Sequence, residues 1–119
     1  MEAFFDRNGR PKIRLKIKGR KQIEIVESVI DTGFDGFLSL PISIAVTLGL
    51  ELAGIQKVEY ADGRTSKELV FTIEVNFDGN WKKVYTTLTE SYEALAGTAL
   101  LNEYEVRLNF KTQKITFLK

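Results

Sequence analysis

From residue 10 onward, polar and apolar positions take turns. Arg10, Lys12, Arg14, Lys16 and Lys18 interleave with Ile13, Leu15 and Ile17, and a period of two predicts a half-buried strand with its charges on the wet face. Gly19-Arg20 then permits a turn. A second β-rich stretch carrying Ile23, Ile25, Val29 and Ile30 runs straight into Asp31-Thr32-Gly33, and Phe37, Leu38 and Leu40 resume the apolar pattern beyond Gly36. A strand therefore delivers Asp31 to a loop. Pro41 suits the first turn of a helix, where its missing N–H is harmless, and Ile42, Ala45, Val46 and Leu48 predict about two helical turns ended by Gly49.

The centre of the chain reads as consecutive hairpins. Val58 and Tyr60, then Leu69, Phe71, Ile73, Val75 and Phe77, flank Asp62-Gly63, a dipeptide that readily takes the positive φ angles of a tight turn. Asp78-Gly79-Asn80 predicts another turn before Trp81, Val84, Tyr85 and Leu88, and has too few carboxylates for a Ca²⁺ loop. After Leu95-Ala96-Gly97, the residues Thr98 to Glu103 favour a helix capped by Thr98 itself. Alternation returns at Val106, Leu108 and Phe110. Lys111-Thr112-Gln113 then turns the chain into a last strand with Ile115 and Phe117. The two halves share an order of strands, a glycine-bearing loop and a short helix.

At 119 residues, with 44% hydrophobic and 28% charged positions, the chain fits a single domain, 1–119, able to bury a core without metal or disulfide staples. Its formal charge of +1 gives no long-range field to gather nucleic acid or anionic lipid. The basic row from Arg10 to Lys18 is better read as a solvated strand face than as a nucleic-acid stripe. Trp81, Tyr85 and Tyr92 lack a basic cluster beside them, so buried or interface aromatics are expected rather than base-stacking platforms. Neither an export signal nor a membrane span is expected, because the most apolar segment, Ile42 to Ile55, is interrupted by Ser43, Thr47 and Glu51. A soluble protein in the cytoplasm is the default expectation. With no Cys and no His, Ser-His and Cys-His nucleophile pairs and the usual zinc sites cannot be assembled within the chain. Hydrolytic chemistry would have to rest on carboxylates, Lys or hydroxyls, with no metal and no cofactor.

Asp-Thr-Gly by itself is a weak signal, since average composition gives it in roughly one chain in fifty of this length. Its setting adds information. The tripeptide follows Val29-Ile30, precedes Phe34-Asp35-Gly36-Phe37-Leu38-Ser39-Leu40-Pro41, and is matched far downstream by Leu95-Ala96-Gly97 before Leu100-Leu101. In this order of features, over nearly the whole chain, the sequence resembles the retropepsin-like aspartic peptidases, particularly their small single-domain bacterial and archaeal relatives. The resemblance implies an almost all-β, barrel-like fold with one or two short helices, active as a two-fold dimer. Counting leads to the same pairing: the acid–base mechanism needs two adjoining carboxylates, and the chain holds one Asp-Thr-Gly and no Asp-Ser-Gly. A two-fold axis beside Asp31 would supply the second from an identical chain.

Two carboxylates that close hold one proton between them. The ionised one takes a proton from water as that water attacks the peptide carbonyl, and the protonated one donates to the developing oxyanion. Both roles fall to Asp31, one per subunit. The resemblance implies that Thr32 exchanges hydrogen bonds between the two loops and that Gly33 permits their close approach. It also assigns Phe34, Asp35 and Gly36 to substrate binding. Phe34 stands where Ala or Ser is common in the family, which predicts an altered or shallower pocket. Asp35 is commonly braced in retroviral relatives by an Arg just after the motif glycine, but Thr98 occupies that place, so any brace must come from elsewhere. Tyr60, Ala61, Asp62 and Gly63 fall where the family carries its flap, and Leu95, Ala96 and Gly97 form a scaffold motif behind the active loops. The expected partner is an extended peptide or protein substrate in a cleft between subunits. The main rival is a catalytically silent dimeric peptide-binding module of the same fold; a small nucleic-acid-binding β-barrel lacks the basic-aromatic face it would need. Phe4-Phe5 and the Ile115–Phe117 strand are candidate dimer contacts.

Overall fold

A computed structural model describes residues 2–119. These form β1 (Glu2–Phe5), β2 (Pro11–Lys18), β3 (Ile23–Ile30), β4 (Leu38–Pro41), α1 (Ile42–Leu48), β5 (Glu51–Glu59), β6 (Thr65–Asn76), β7 (Trp81–Thr89), β8 (Ala94–Ala96), α2 (Thr98–Leu101), β9 (Glu105–Asn109) and β10 (Lys114–Leu118). The mostly β class with two short helices agrees with the sequence pattern. Eight strands share one sheet in the order β1-β2-β3-β8-β4-β7-β6-β5. A further pairing of β2 with β6, in which Ile17 lies opposite Val75, folds that sheet back on itself. The result is barrel-like, with only β1 and β5 left as ends.

The alternation in β2 has its expected consequence: Ile13, Leu15 and Ile17 are fully buried. Opposite them lie Val26 and Ile30 of β3, Leu38 and Leu40 of β4, and Ile73 and Val75 of β6, with Leu48, Leu100 and Leu101 closing the core from the helices. In β3 the inward face is Val26, Ser28 and Ile30, whereas Ile23 and Ile25 point outward. The helix also turns differently from the pattern read in sequence: Ala45 and Leu48 are buried and Ile44 packs on the core, but Ile42 and Val46 are exposed. Gly49 ends α1 at φ 73°, a left-handed conformation that side chains disfavour.

The turns follow their dipeptides. Gly63 and Gly79 both take positive φ, and Asp62 and Asp78 accept hydrogen bonds from the backbone N–H two residues on. Trp81, Tyr85 and Tyr92 are exposed rather than buried, Tyr92 almost entirely. β9 and β10 form a separate hairpin that packs through Tyr104 and Phe117 against Phe77. The inward positions of β10, Ile115 and Phe117, thus pack on their own core. Phe4 and Phe5 are likewise engaged within the chain, Phe4 beneath the Arg14 guanidinium and Phe5 edge-to-face with Phe110. Among the described residues no helix is long and apolar enough to cross a membrane.

Candidate active site

β8 is inserted between β3 and β4, parallel to the first and antiparallel to the second. This insertion builds the site. Register pairs Ile30 with Ala96, and one residue later the Asp31 N–H donates to the Ala96 carbonyl at 3.0 Å. Three more backbone bonds stitch the following loop to the start of α2: Gly97 N–H to Phe37 O, Thr98 N–H to Phe34 O and Ala99 N–H to Gly36 O. Residues sixty or more positions apart are thereby locked at main-chain level, which fixes loop geometry far better than side-chain contacts alone.

Those bonds also correct the expected cap. Gly97, not Thr98, is the N-cap of α2, no side-chain cap bond forms, and the helix stops at Leu101 rather than Glu103. With Gly97 as the cap, the first-turn N–H groups of Thr98 and Ala99 are taken by the carbonyls of Phe34 and Gly36.

Within the loop the Gly33 N–H donates to Asp31 Oδ1 at 2.8 Å, and the Phe34 N–H to the Asp31 carbonyl at 3.2 Å. Asp31 is half-buried, while Thr32 and Gly33 are exposed. The carboxylate is thus oriented by its own loop and presented at the surface. Phe34 folds back instead of pointing away: a Cβ at Gly36 would stand 2.6 Å from its ring, and one at Gly97 2.7 Å. The ring fills space that both glycines leave empty, so Phe34 supports the loop as well as walling a cavity. Sequence reasoning had given it the second role alone.

That cavity, about 280 Å³, lies between the loop and the β5–β6 hairpin, with Phe34, Asp35, Gly36 and Leu38 on one side and Gln56 and Val70 on the other. Asp35 is exposed and forms no ion pair among the described residues, so no brace replaces the missing Arg. Tyr60, Ala61, Asp62 and Gly63 form the exposed hairpin tip beyond this cavity and do not line it. The tip is tied to itself by Tyr60 N–H to Arg64 O, the Asp62–Arg64 ion pair at 2.5 Å, and a 3.0 Å bond between the Tyr60 and Ser66 hydroxyls.

A charged network invisible to sequence reading joins the entries of β2 and β8. Asp6 accepts from the backbone N–H groups of Arg10 and Asn8 and from the side chains of Arg10 and Lys12, and Arg10 reaches on to Glu93 at 2.8 Å. The Arg10 backbone bond is the chief cause holding the Asp6 carboxyl down at about 2, helped by Asn8, Lys12 and the Arg10 side chain against the opposing effect of burial. Glu93 just precedes β8, so the network ties the entry of β2 to the strand under Asp31. The only signal was a density of charges 83 residues apart, which no local pattern joins. Among the described residues no cluster of carboxylates is arranged to hold a metal.

The fold is similar to that of EIAV protease in complex with the inhibitor HBY-793. The two match over 79% of this chain and 86% of that one, at 14% identity and a TM-score of 0.58. The fold is therefore retropepsin-like. No protein-family model matches the chain, and no curated protein matches its sequence.

Proposed function

We propose that the chain is one half of a homodimeric aspartic endopeptidase, akin to the small single-domain bacterial and archaeal retropepsins, in which Asp31 and its symmetry twin activate the hydrolytic water. The observation that carries the reading is the lock between Asp31 and Ala96: a carboxylate at the end of a buried strand, pinned by main-chain bonds yet held at the surface with exposed Thr32 and Gly33 around it. One chain offers one such carboxylate. A two-fold contact through Thr32 and Gly33 supplies the second and buries both.

In the pair, one carboxylate is ionised and the other protonated. The ionised Asp31 accepts a proton from water as its oxygen bonds to the scissile carbonyl carbon, while the protonated one donates to the carbonyl oxygen. Collapse of the tetrahedral species breaks the C–N bond, and the proton passes to the leaving nitrogen. Phe34, Asp35 and Gly36 line the substrate side, and the Tyr60–Gly63 hairpin closes over the peptide and excludes water. The unbraced Asp35 favours a second reading, a dimeric module of the same fold that grips an extended strand without cutting it.

The test is a mixed peptide library incubated with wild type and with Asp31→Asn from acidic to neutral pH. Cleavage that vanishes in Asp31→Asn and follows a bell-shaped pH profile supports the peptidase. Cleavage that survives the substitution overturns it, and binding without cleavage by wild type selects the module.

A further inference from the structure

The turn between β1 and β2 is closed by hydrogen bonds to its own backbone. Asp6 N–H donates to Arg10 O, Gly9 N–H to Asp6 O, and the N–H groups of Asn8 and Arg10 both donate to Asp6 Oδ1. At its apex stands Asn8-Gly9. Of the five asparagines in the chain, Asn8 alone precedes a glycine; the others are followed by Phe77, Trp81, Glu103 and Phe110, whose side chains crowd the next backbone nitrogen. A Cβ built on Gly9 would meet nothing within 4 Å, so its nitrogen is open to approach. Asn76 and Asn109 spend their carboxamides on the N–H groups of Gly79 and Thr112, and Asn80 spends its own on Asp78. That of Asn8 is exposed and makes no hydrogen bond among the described residues. Only the bond from Gly9 N–H to Asp6 O stands between this nitrogen and the carboxamide carbon beside it, and local opening of the turn breaks it.

We propose that Asn8 is a site of spontaneous deamidation, gated by the turn that Asp6 holds, and that the reaction loosens the tie between Arg10 and Glu93. When the turn opens, the Gly9 nitrogen gives up its proton and bonds to the side-chain carbonyl carbon of Asn8. The bond from that carbon to the side-chain nitrogen breaks, and ammonia leaves with the proton. A succinimide ring remains. Water opens it at either carbonyl, giving aspartate or isoaspartate at position 8, and no reagent but water is consumed. Either product sets a second carboxylate two residues from Asp6. Isoaspartate also adds a backbone atom, so the N–H groups of position 8 and Arg10 no longer converge on Asp6 Oδ1. Arg10, which reaches Glu93 at 2.8 Å before β8, is thereby freed from its anchor. The chemistry is independent of what Asp31 does.

Full-length protein is aged in neutral buffer beside a synthetic Phe5–Lys12 peptide, and digests of both are weighed at intervals. The fragment holding Asn8 is expected to gain about 1 Da in ordinary water and about 2 Da more in oxygen-18 water, more slowly than in the free peptide. Fragments holding the other asparagines keep their mass, and Asn8→Gln stops the gain. Asp6→Ala, which unties the turn, quickens it about tenfold. Lys12→Gln removes one partner of Asp6 at 3.3 Å and leaves the turn bonds in place, so it quickens the gain less; melts of both variants distinguish a loosened turn from an unfolded chain. Aged protein, separated by its extra charge, is expected to melt below fresh protein. An Asn8 fragment of constant mass after the peptide has converted overturns the site. Equal rates in wild type and folded Asp6→Ala overturn the gate, and coincident melts of aged and fresh protein overturn the link to Arg10.

Discussion

A Cβ placed on Gly97 would stand 2.2 Å from the carbonyl oxygen of Gly36. Neither atom can retreat, since the Gly36 oxygen accepts from Ala99 and the Gly97 N–H is held by Phe37. Gly97→Ala is therefore expected to part the Asp31 loop from α2 at a cost of about 3 kcal/mol, the upper end for overpacking. Denaturant melts should show that loss together with loss of activity. A melt unchanged from wild type would mean that the loop and helix are not locked as described.

Ser28 lies in β3 opposite Ala94, fully buried, and its hydroxyl finds no hydrogen-bond partner among the described residues. A buried polar group left unpaired costs roughly 1–3 kcal/mol. Ser28→Ala keeps the shape and removes the hydroxyl, so it should stabilise the fold by about 1 kcal/mol and raise Tm by about 4 °C. A lower melting temperature would show that the hydroxyl is satisfied in solution.

Asp6 is held at about 2 against an ordinary 3.8, so its folded value lies below its unfolded one. Its contribution is complete above about pH 4 and disappears as pH falls through about 2. Wild type should exceed Asp6→Asn in stability at pH 6, and the two should converge toward pH 2. Melts across that window decide the matter, and a constant gap down to pH 2 would contradict the assignment.

Much of this was written locally. Strict alternation around Ile13, Leu15 and Ile17 predicted a strand whose inward face is fully buried, and the Asp-Gly dipeptides predicted turns that the positive φ of Gly63 and Gly79 requires. Asp31 followed a β-branched run and stands at the end of β3. What escaped was set by distant chain. The first half of β5 was missed because Leu52 and Ile55 lie on exposed faces and simply prolong the apolar run of α1. Ser28 interrupts the inward face of β3 with a polar residue, so Ile23 and Ile25 looked like core. Thr98 is not the cap because the cap position falls one residue earlier, at Gly97, and carbonyls more than sixty residues upstream hold the N–H groups of Thr98 and Ala99. Phe34 looked like a pocket residue alone, since only the packed structure reveals the two glycines beneath its ring.

The central claim is that each working site takes one Asp31 from each of two chains. Wild type and Asp31→Asn chains, unfolded together in varied ratio and refolded at fixed total concentration, test it most directly. If both carboxylates are needed, an equal mixture retains about one quarter of the wild-type cleavage rate, because mixed dimers are silent. A rate of about one half, falling in proportion to the wild-type fraction, would show that a single Asp31 suffices and would contradict the account.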